Sequence, residues 1–277
     1  MFEKKIKWDG HCHSELCPHG KGEETAHMVE KAIAEGFTRL SLTEHAPLPV
    51  GLIQPQSLHN ELALTEQQMP EYLELVQGLK ATYKNQIEIL TGLEVDYIAG
   101  QEAFTKDFLD QWGPELDDSL LSLHIIQAGD AYQMVDYSPE DWKANLIPHF
   151  GSAKAVQASY WEHFQLMLES NLGAFKPTRI GHAGLIYKFH KAFAGDFEVE
   201  MDADLVENLV ATLSQKGFSL DYNVNGLNLK TCGQPLMPQA LLDRAKKAKI
   251  PLVYGSDAHG IKAIGQYYSN FENITHD

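Results

Sequence analysis

Histidines and carboxylates recur in this chain where short apolar runs break off: His11 and His13, His45, Glu94, His124, His182, and Asp257 with His259. Imidazole and carboxylate together suit Zn, Mn or Fe, whereas Ca and Mg prefer all-oxygen cages. The HxH of Asp9-Gly10-His11-Cys12-His13 turns both imidazoles the same way, because alternate residues of a strand share a face. Ser256-Asp257-Ala258-His259 repeats that geometry with a carboxylate and an imidazole. Glu94, in Gly92-Leu93-Glu94-Val95-Asp96, has two oxygens with which to bridge two ions. A lone histidine at a strand end is usually a hydrogen-bonded structural residue, but coincidence at six strand ends points to a polynuclear metal site.

The runs that carry these residues read as seven strands, over residues 6–13, 39–45, 87–97, 120–126, 179–183, 220–225 and 252–259. Stretches with helical periodicity separate them, among them 24–35, 70–84, 153–172, 204–216 and 238–249. Alternation of this kind implies parallel strands, right-handed crossovers and a sheet covered by helices. Seven strands rather than eight predict an α/β fold, a distorted (β/α)7 barrel related to the TIM barrel. In such barrels chemistry sits at the carboxyl ends of the strands, where all these donors fall. Closure would bring the first and last strands together and join the HxH pair to Asp257 and His259.

Composition narrows the class. The 277 residues suit one domain spanning 1–277, since no Pro/Ser/Gly-rich linker or charge block divides them. No apolar run approaches the roughly 18 residues that span a bilayer, and MFEKKIKWDG lacks a secretory apolar region, so a cytoplasmic protein without membrane partners is expected. Three cysteines, Cys12, Cys17 and Cys232, are too few and odd for a disulfide framework. Cys12 and Cys17 are read as packed small residues beside the site. A formal charge of −16, from 22 Lys and Arg against 38 acids, argues against nucleic acid as partner. A small anion remains compatible, because bound divalent ions reverse the field locally. Of the 13 histidines, His27, His59, His149, His163, His190 and His276 fall on helices, loops or the terminus and are read as surface or structural.

The motifs HCH (11–13), CPHG (17–20), TEHAP (43–47), GLEVDY (92–97), SLH (122–124), IGHAG (180–184) and YGSDAHG (254–260) together resemble the PHP (polymerase and histidinol phosphatase) superfamily. Within it they resemble the bacterial histidinol-phosphate phosphatases. The resemblance runs from the first strand to the last. It implies a distorted seven-stranded barrel with a trinuclear centre of divalent transition metals, Zn, Mn or Fe. The ligand positions match His11, His13, His19, His45, Glu94, His124, His182, Asp257 and His259. The implied activity is hydrolysis of L-histidinol phosphate, a small phosphate ester, to L-histidinol and inorganic phosphate in histidine biosynthesis.

Such a centre lowers the pKa of a bound water toward neutrality and neutralises charge on phosphate. The leaving group is a poor primary alkoxide, so a proton donor is needed, with Asp257, His259 and His13 as candidates and Glu94 as the bridge. Phosphate sites usually recruit Arg, whose planar fork matches phosphate oxygens. Of the three arginines, Arg39 and Arg244 read as solvated or paired. Arg179 and Lys176 are read as substrate contacts by resemblance, as is Lys230, although its GLNLK run is shifted by one residue. Glu15 and Asp96 either receive the substrate's organic end or orient metal-bound histidines. Asn223 and Asn225 orient substrate or close a turn. The alternatives are a superfamily phosphoesterase acting on another small phosphomonoester or nucleotide, and a non-catalytic metal-binding barrel. The sequence leaves the oligomeric state and native metals open.

Overall fold

The computed structural model describes residues 6–275. His276 and the first five residues of MFEKKIKWDG lie outside them. Seven parallel strands form one sheet: β1 (Trp8–Cys12), β2 (Arg39–His45), β3 (Glu88–Asp96), β4 (Asp118–Ser122), β7 (Arg179–Ile180), β8 (Ser219–Asn223) and β9 (Leu252–Gly255), neighbours in that order. A separate antiparallel hairpin, β5 (Ile125–Ala128) and β6 (Ala131–Met134), lies between β4 and β7 in the chain. The sheet curls until its ends meet: the Asp257 amide donates to the His11 carbonyl at 2.8 Å and the His13 amide to the Ala258 carbonyl at 2.9 Å. The expected seven-stranded barrel is therefore nearly closed, and its first and last strands bring their donors together.

Helices cover the strands because their apolar residues repeat at helical spacing. In Ala203–Lys216 the buried residues are Val206, Leu209, Val210 and Leu213, the i, i+3, i+4, i+7 pattern of one face. Asp202 caps that helix by accepting from the Leu205 amide at 2.9 Å, and Gly217, at φ 71°, ends it in the left-handed conformation. Most of the buried apolar residues form one continuous core. A smaller one, Leu48, Ile53, Ala63, Ile98 and Ile125, packs the loop after β2 against the hairpin. No helix of the described residues is long and apolar enough to cross a membrane.

Three expected elements differ, one of them the last strand, which ends at Gly255 rather than at 259, with Asp257 beyond it at φ 54°. The run 120–126 is not one strand: Asp96 Oδ1 accepts from the His124 amide at 3.2 Å and lies 2.8 Å from its Nδ1, which turns the chain out of β4 before the hairpin. The fifth barrel strand is two residues long rather than five, since Gly181 and His182 already leave the ladder.

Candidate metal centre

Period-two geometry on β1 puts His11 and His13 on the barrel interior, both with no exposed surface, and turns Cys12 to the opposite side, where its thiol donates to the Ser41 carbonyl at 3.2 Å. Glu94 stands at the middle of the cluster. Its Oε2 lies 3.2 Å from His11 Nε2, 3.6 Å from His13 Nε2 and 3.3 Å from His45 Nδ1. Its Oε1 lies 2.7 Å from His182 Nε2 and 3.6 Å from His124 Nε2, and accepts from Ser122 Oγ at 2.7 Å. One carboxylate thus addresses two imidazole sets with separate oxygens. Asp257 Oδ1 lies 3.4 Å from His13 Nε2 and 3.5 Å from His259 Nδ1, and His259 Nε2 is 3.2 Å from His19 Nε2. All nine residues singled out as metal donors converge on one end of the barrel.

The donors fall into three overlapping groups, each with its ligand atoms within 4.8 Å of one another: His11, His13 and Glu94; Glu94, His124 and His182; and His13, Cys17, His45 and His259. The cluster fits metal by its polar accounting as well. Nε2 of His13, Nε2 of His45 and Nδ1 of His182 are buried without a hydrogen-bond partner, which is costly unless something else satisfies them.

Most of the imidazoles are held from behind. His11 Nδ1 is 2.8 Å from Asp221 Oδ2, His13 Nδ1 is 3.2 Å from Glu44 Oε1, and His124 Nδ1 is 2.8 Å from Asp96 Oδ1. His19 Nδ1 donates to the Glu61 carbonyl at 2.7 Å. Anchors of this kind fix the tautomer and aim the other nitrogen at the ion. Asp96 therefore faces the His124 imidazole, the contact that the second of its two expected roles requires. Asn223 and Asn225 each donate to Asp257 Oδ2, at 3.1 and 3.2 Å, and hold that carboxylate although its backbone sits at φ 54°.

Electrostatics follow from this crowding. Burial opposes ionisation of Glu94, yet His11, His124 and His182 outweigh it and hold the carboxyl well below its usual range. Asp257 is likewise held down against burial by His11, His13 and His259. Burial, with His13 nearby, pushes His45 well down and His259 to about 3, so both stay neutral, the form that ligates. His13 rises to about 9 because Asp257 and Glu44 overcome its burial, so a cation entering there displaces a proton.

A cavity of about 700 Å³ opens onto the cluster. Lys188 lines it, its Nζ 2.8 Å from Asp136 Oδ2, and Lys21, Lys262, Glu61 and Tyr137 line it too. None of these was singled out from sequence. Lys188 sits inside the apolar 3-10 segment Leu185–Phe193, six residues after His182, and Lys21 follows the CPHG run directly; proximity to a ligand was the only available signal.

The four expected substrate contacts are not brought to the cavity. Arg179 begins β7 at the end opposite the donors, is 3% exposed, pairs with the Asp118 carboxylate and lies 5.0 Å over the Trp8 ring. Any side chain at Gly10 would collide with that guanidinium, so Arg179 fills the barrel floor. Lys176 closes a helix end: its Nζ donates to the carbonyls of Met167 and Leu168 at 3.0 Å and of Ser170 at 2.7 Å. Lys230 is exposed in a loop away from the cavity lining. Glu15 accepts from the Thr25 amide at 2.7 Å, at the start of the first helix.

The sequence profile of the PHP domain matches residues 9–225, and that of the PHP-associated region matches 242–277. The chain belongs to the PHP domain family. It is 38% identical over 265 residues to the histidinol-phosphatase of Bacillus subtilis (strain 168), covering 96% of this chain and 98% of that one. The crystal structure of a candidate histidinol phosphatase from Listeria monocytogenes superposes with a TM-score of 0.91 at 34% identity, over 96% of this chain and all of that one. A more distant structure of the same fold, the histidinol phosphate phosphatase of Lactococcus lactis complexed with zinc, L-histidinol and phosphate, shares 17% identity over 97% of this chain and 93% of its own, with a TM-score of 0.67.

Proposed function

We propose that this chain is a metal-dependent histidinol-phosphatase, one functional unit over residues 1–277, that hydrolyses L-histidinol phosphate to L-histidinol and inorganic phosphate. The observation that carries the chemistry is Glu94, whose two oxygens face separate imidazole sets at 2.7 to 3.6 Å. The substrate reading is supported by the near end-to-end likeness to the Bacillus subtilis histidinol-phosphatase.

Three divalent ions are assigned, one to each donor group, with His11, His13, His45, Glu94, His124, His182 and His259 from the groups and His19 and Asp257 beside them as ligands. Zinc is favoured over manganese and iron by its presence in the Lactococcus lactis relative. Such ions supply an activated water and neutralise charge on the phosphoryl oxygens. The protein's own groups do the rest. Lys188, fixed by Asp136, grips the phosphate in place of the arginine expected from sequence. Asp257 and His259 stand at the mouth as an ionised carboxylate and a neutral imidazole, so either can take up a proton and pass it to the leaving alkoxide. Glu61 and Tyr137 face the part of the cavity left for the ammonium and imidazole. The net charge of −16 supports a small substrate rather than nucleic acid, and a biosynthetic reaction of this kind belongs in the cytoplasm.

Phosphate release from L-histidinol phosphate, p-nitrophenyl phosphate and nucleoside monophosphates tests the reading. L-histidinol phosphate should be preferred by roughly a hundredfold or more in kcat/KM, because groups placed for its polar tail are left unpaired by the others. Activity should vanish on chelation and return with divalent metal. Preference for a nucleotide or for p-nitrophenyl phosphate would assign the site to another phosphomonoester.

A further inference from the structure

One donor of the outermost group is not among the nine. Cys17 lies between the first strand and His19. Two consecutive turns set it: its amide donates to the Ser14 carbonyl at 3.2 Å, and the Gly20 amide donates to its carbonyl at 3.0 Å. They fold the loop so that Cys17 Sγ and one nitrogen each of His13, His45 and His259 lie within 4.8 Å of one another. Cys17 is 5% exposed, His13 is fully buried and His45 is 7% exposed. Nε2 of His13 and Nε2 of His45 are buried atoms with no hydrogen-bond partner. The other two cysteines are accounted for differently. Cys12 Sγ donates to the Ser41 carbonyl at 3.2 Å, and Cys232 Sγ to the Gln234 carbonyl at 3.4 Å.

We infer that Cys17 is a thiolate ligand of the ion at the mouth of the centre, beside His45 and His259. The reading of 11–20 as a metal segment with a merely packed cysteine in it is thereby revised, and the inference rests on the metal-centre reading above. His13 explains why a further donor is useful. It belongs to two of the three groups, yet its single inward nitrogen, Nε2, serves one ion at a time. An outer ion that loses His13 to the inner group keeps His45 and His259 from that group and has His19 beside them, its Nε2 3.2 Å from His259 Nε2, so Cys17 supplies the fourth donor of a tetrahedral set. The geometry is within reach: with Zn–S about 2.3 Å and Zn–N about 2.0 Å, tetrahedral donors stand about 3.5 Å apart, so the group has to draw in by only about 1 Å. On coordination the S–H bond breaks, its proton leaves to solvent, and a sulfur–metal bond forms without electron transfer. A thiolate with imidazoles selects zinc, iron(II) or cobalt(II) over manganese and magnesium.

Cobalt gives a readout independent of activity. The purified holoenzyme is stripped with chelator and reconstituted with Co(II). We expect visible d–d bands, and a near-ultraviolet thiolate-to-cobalt charge-transfer band that is lost in Cys17→Ser while the d–d bands remain. Should Cys17→Ser not fold, Cys12→Ser and Cys232→Ser assign the band by elimination, since it must survive in both. Wild-type protein with d–d bands and no charge-transfer band overturns the thiolate and leaves the metal centre standing. A charge-transfer band that persists in Cys17→Ser, or disappears with Cys12 or Cys232, overturns it equally. Absence of both bands at full cobalt supply would remove the metal centre itself, and Cys17 with it.

Discussion

Asp221 Oδ2 lies 2.8 Å from Nδ1 of His11, and neither side chain has any exposed surface. The carboxylate reaches the imidazole because position 255 is glycine: a Cβ there would collide with Asp221 Oδ1. The pairing leaves His11 Nε2 directed at Glu94 and the metal group. Removing such an anchor from behind a ligand typically costs about 10- to 100-fold in metal affinity. Asp221→Ala should therefore weaken binding of the ion beside His11 by that factor, read by competition with a chromophoric chelator. Asp221→Asn, whose amide oxygen can still accept, should recover part of it. Equal affinities in all three proteins would reduce Asp221 to a packing residue.

Glu94 predicts the largest catalytic loss. Because its oxygens divide between two donor sets, Glu94→Gln removes charge from both at once. Turnover should fall by at least about two orders of magnitude, as expected when activation of the nucleophile is lost. Metal content by elemental analysis should fall with it. A variant with near-normal turnover and full metal content would take Glu94 out of the centre.

The contrast between these residues and the phosphate-binding set shows what the sequence could and could not display. Most of the donors follow a short apolar run, and such runs are visible in one dimension: Leu40 and Leu42 are fully buried on β2 before His45, and Leu93 before Glu94. The barrel and its metal end were legible for that reason. Lys188 carries no such mark: it is one of two lysines in the mostly buried segment Leu185–Phe193, and neither its type nor its spacing separates it from a solvated lysine. Arg179 was placed at the site by resemblance, although as the first residue of β7 it faces the floor rather than the mouth. Three residues along a strand cover about 10 Å, enough to separate the two ends of the barrel wall.

Arg179 should consequently behave as a stability residue. Its pair with Asp118 is nearly buried, with side-chain exposures of 4% and 16%. Removing one partner of a buried pair strands the other charge, typically at about 3–5 kcal/mol. Arg179→Met should lower unfolding stability in urea by about 3 kcal/mol, the low end of that range because Asp118 is partly wet, while KM for the phosphate ester stays unchanged. A raised KM at wild-type stability would return Arg179 to the substrate.

Lys188 should show the reverse. It lines the cavity beside the metal cluster, and Asp136 at 2.8 Å holds its ammonium in place. Loss of one charge-assisted hydrogen bond to phosphate is worth about 1.5–3 kcal/mol. Lys188→Ala should therefore lower kcat/KM by about 10- to 100-fold, with metal content unaltered. If kcat/KM is unchanged, the phosphate is held by metals and by Lys21 or Lys262 instead.

Lys176 makes a prediction about pH. Burial, reinforced by Lys216, pushes its ammonium down to about 8 from the ordinary 10.5, even though the charged form caps the end of helix Ala153–Glu169. A lowered folded pKa means that the folded chain gives up the proton first. Below about pH 8 both states carry it, and Lys176 adds no slope to stability. Between about 8 and 10.5 the unfolded chain binds more proton than the folded one, so this group makes stability rise with pH; above that window the slope is zero again. Lys176→Met lacks the titration but keeps the aliphatic stem. The difference in urea midpoint between the two proteins should therefore shift in favour of the wild type as pH is raised through this window, with other titrations cancelling in the comparison. A difference that is constant across the window would mean that the carbonyls of Met167, Leu168 and Ser170 keep the ammonium at its ordinary pKa and outweigh its burial.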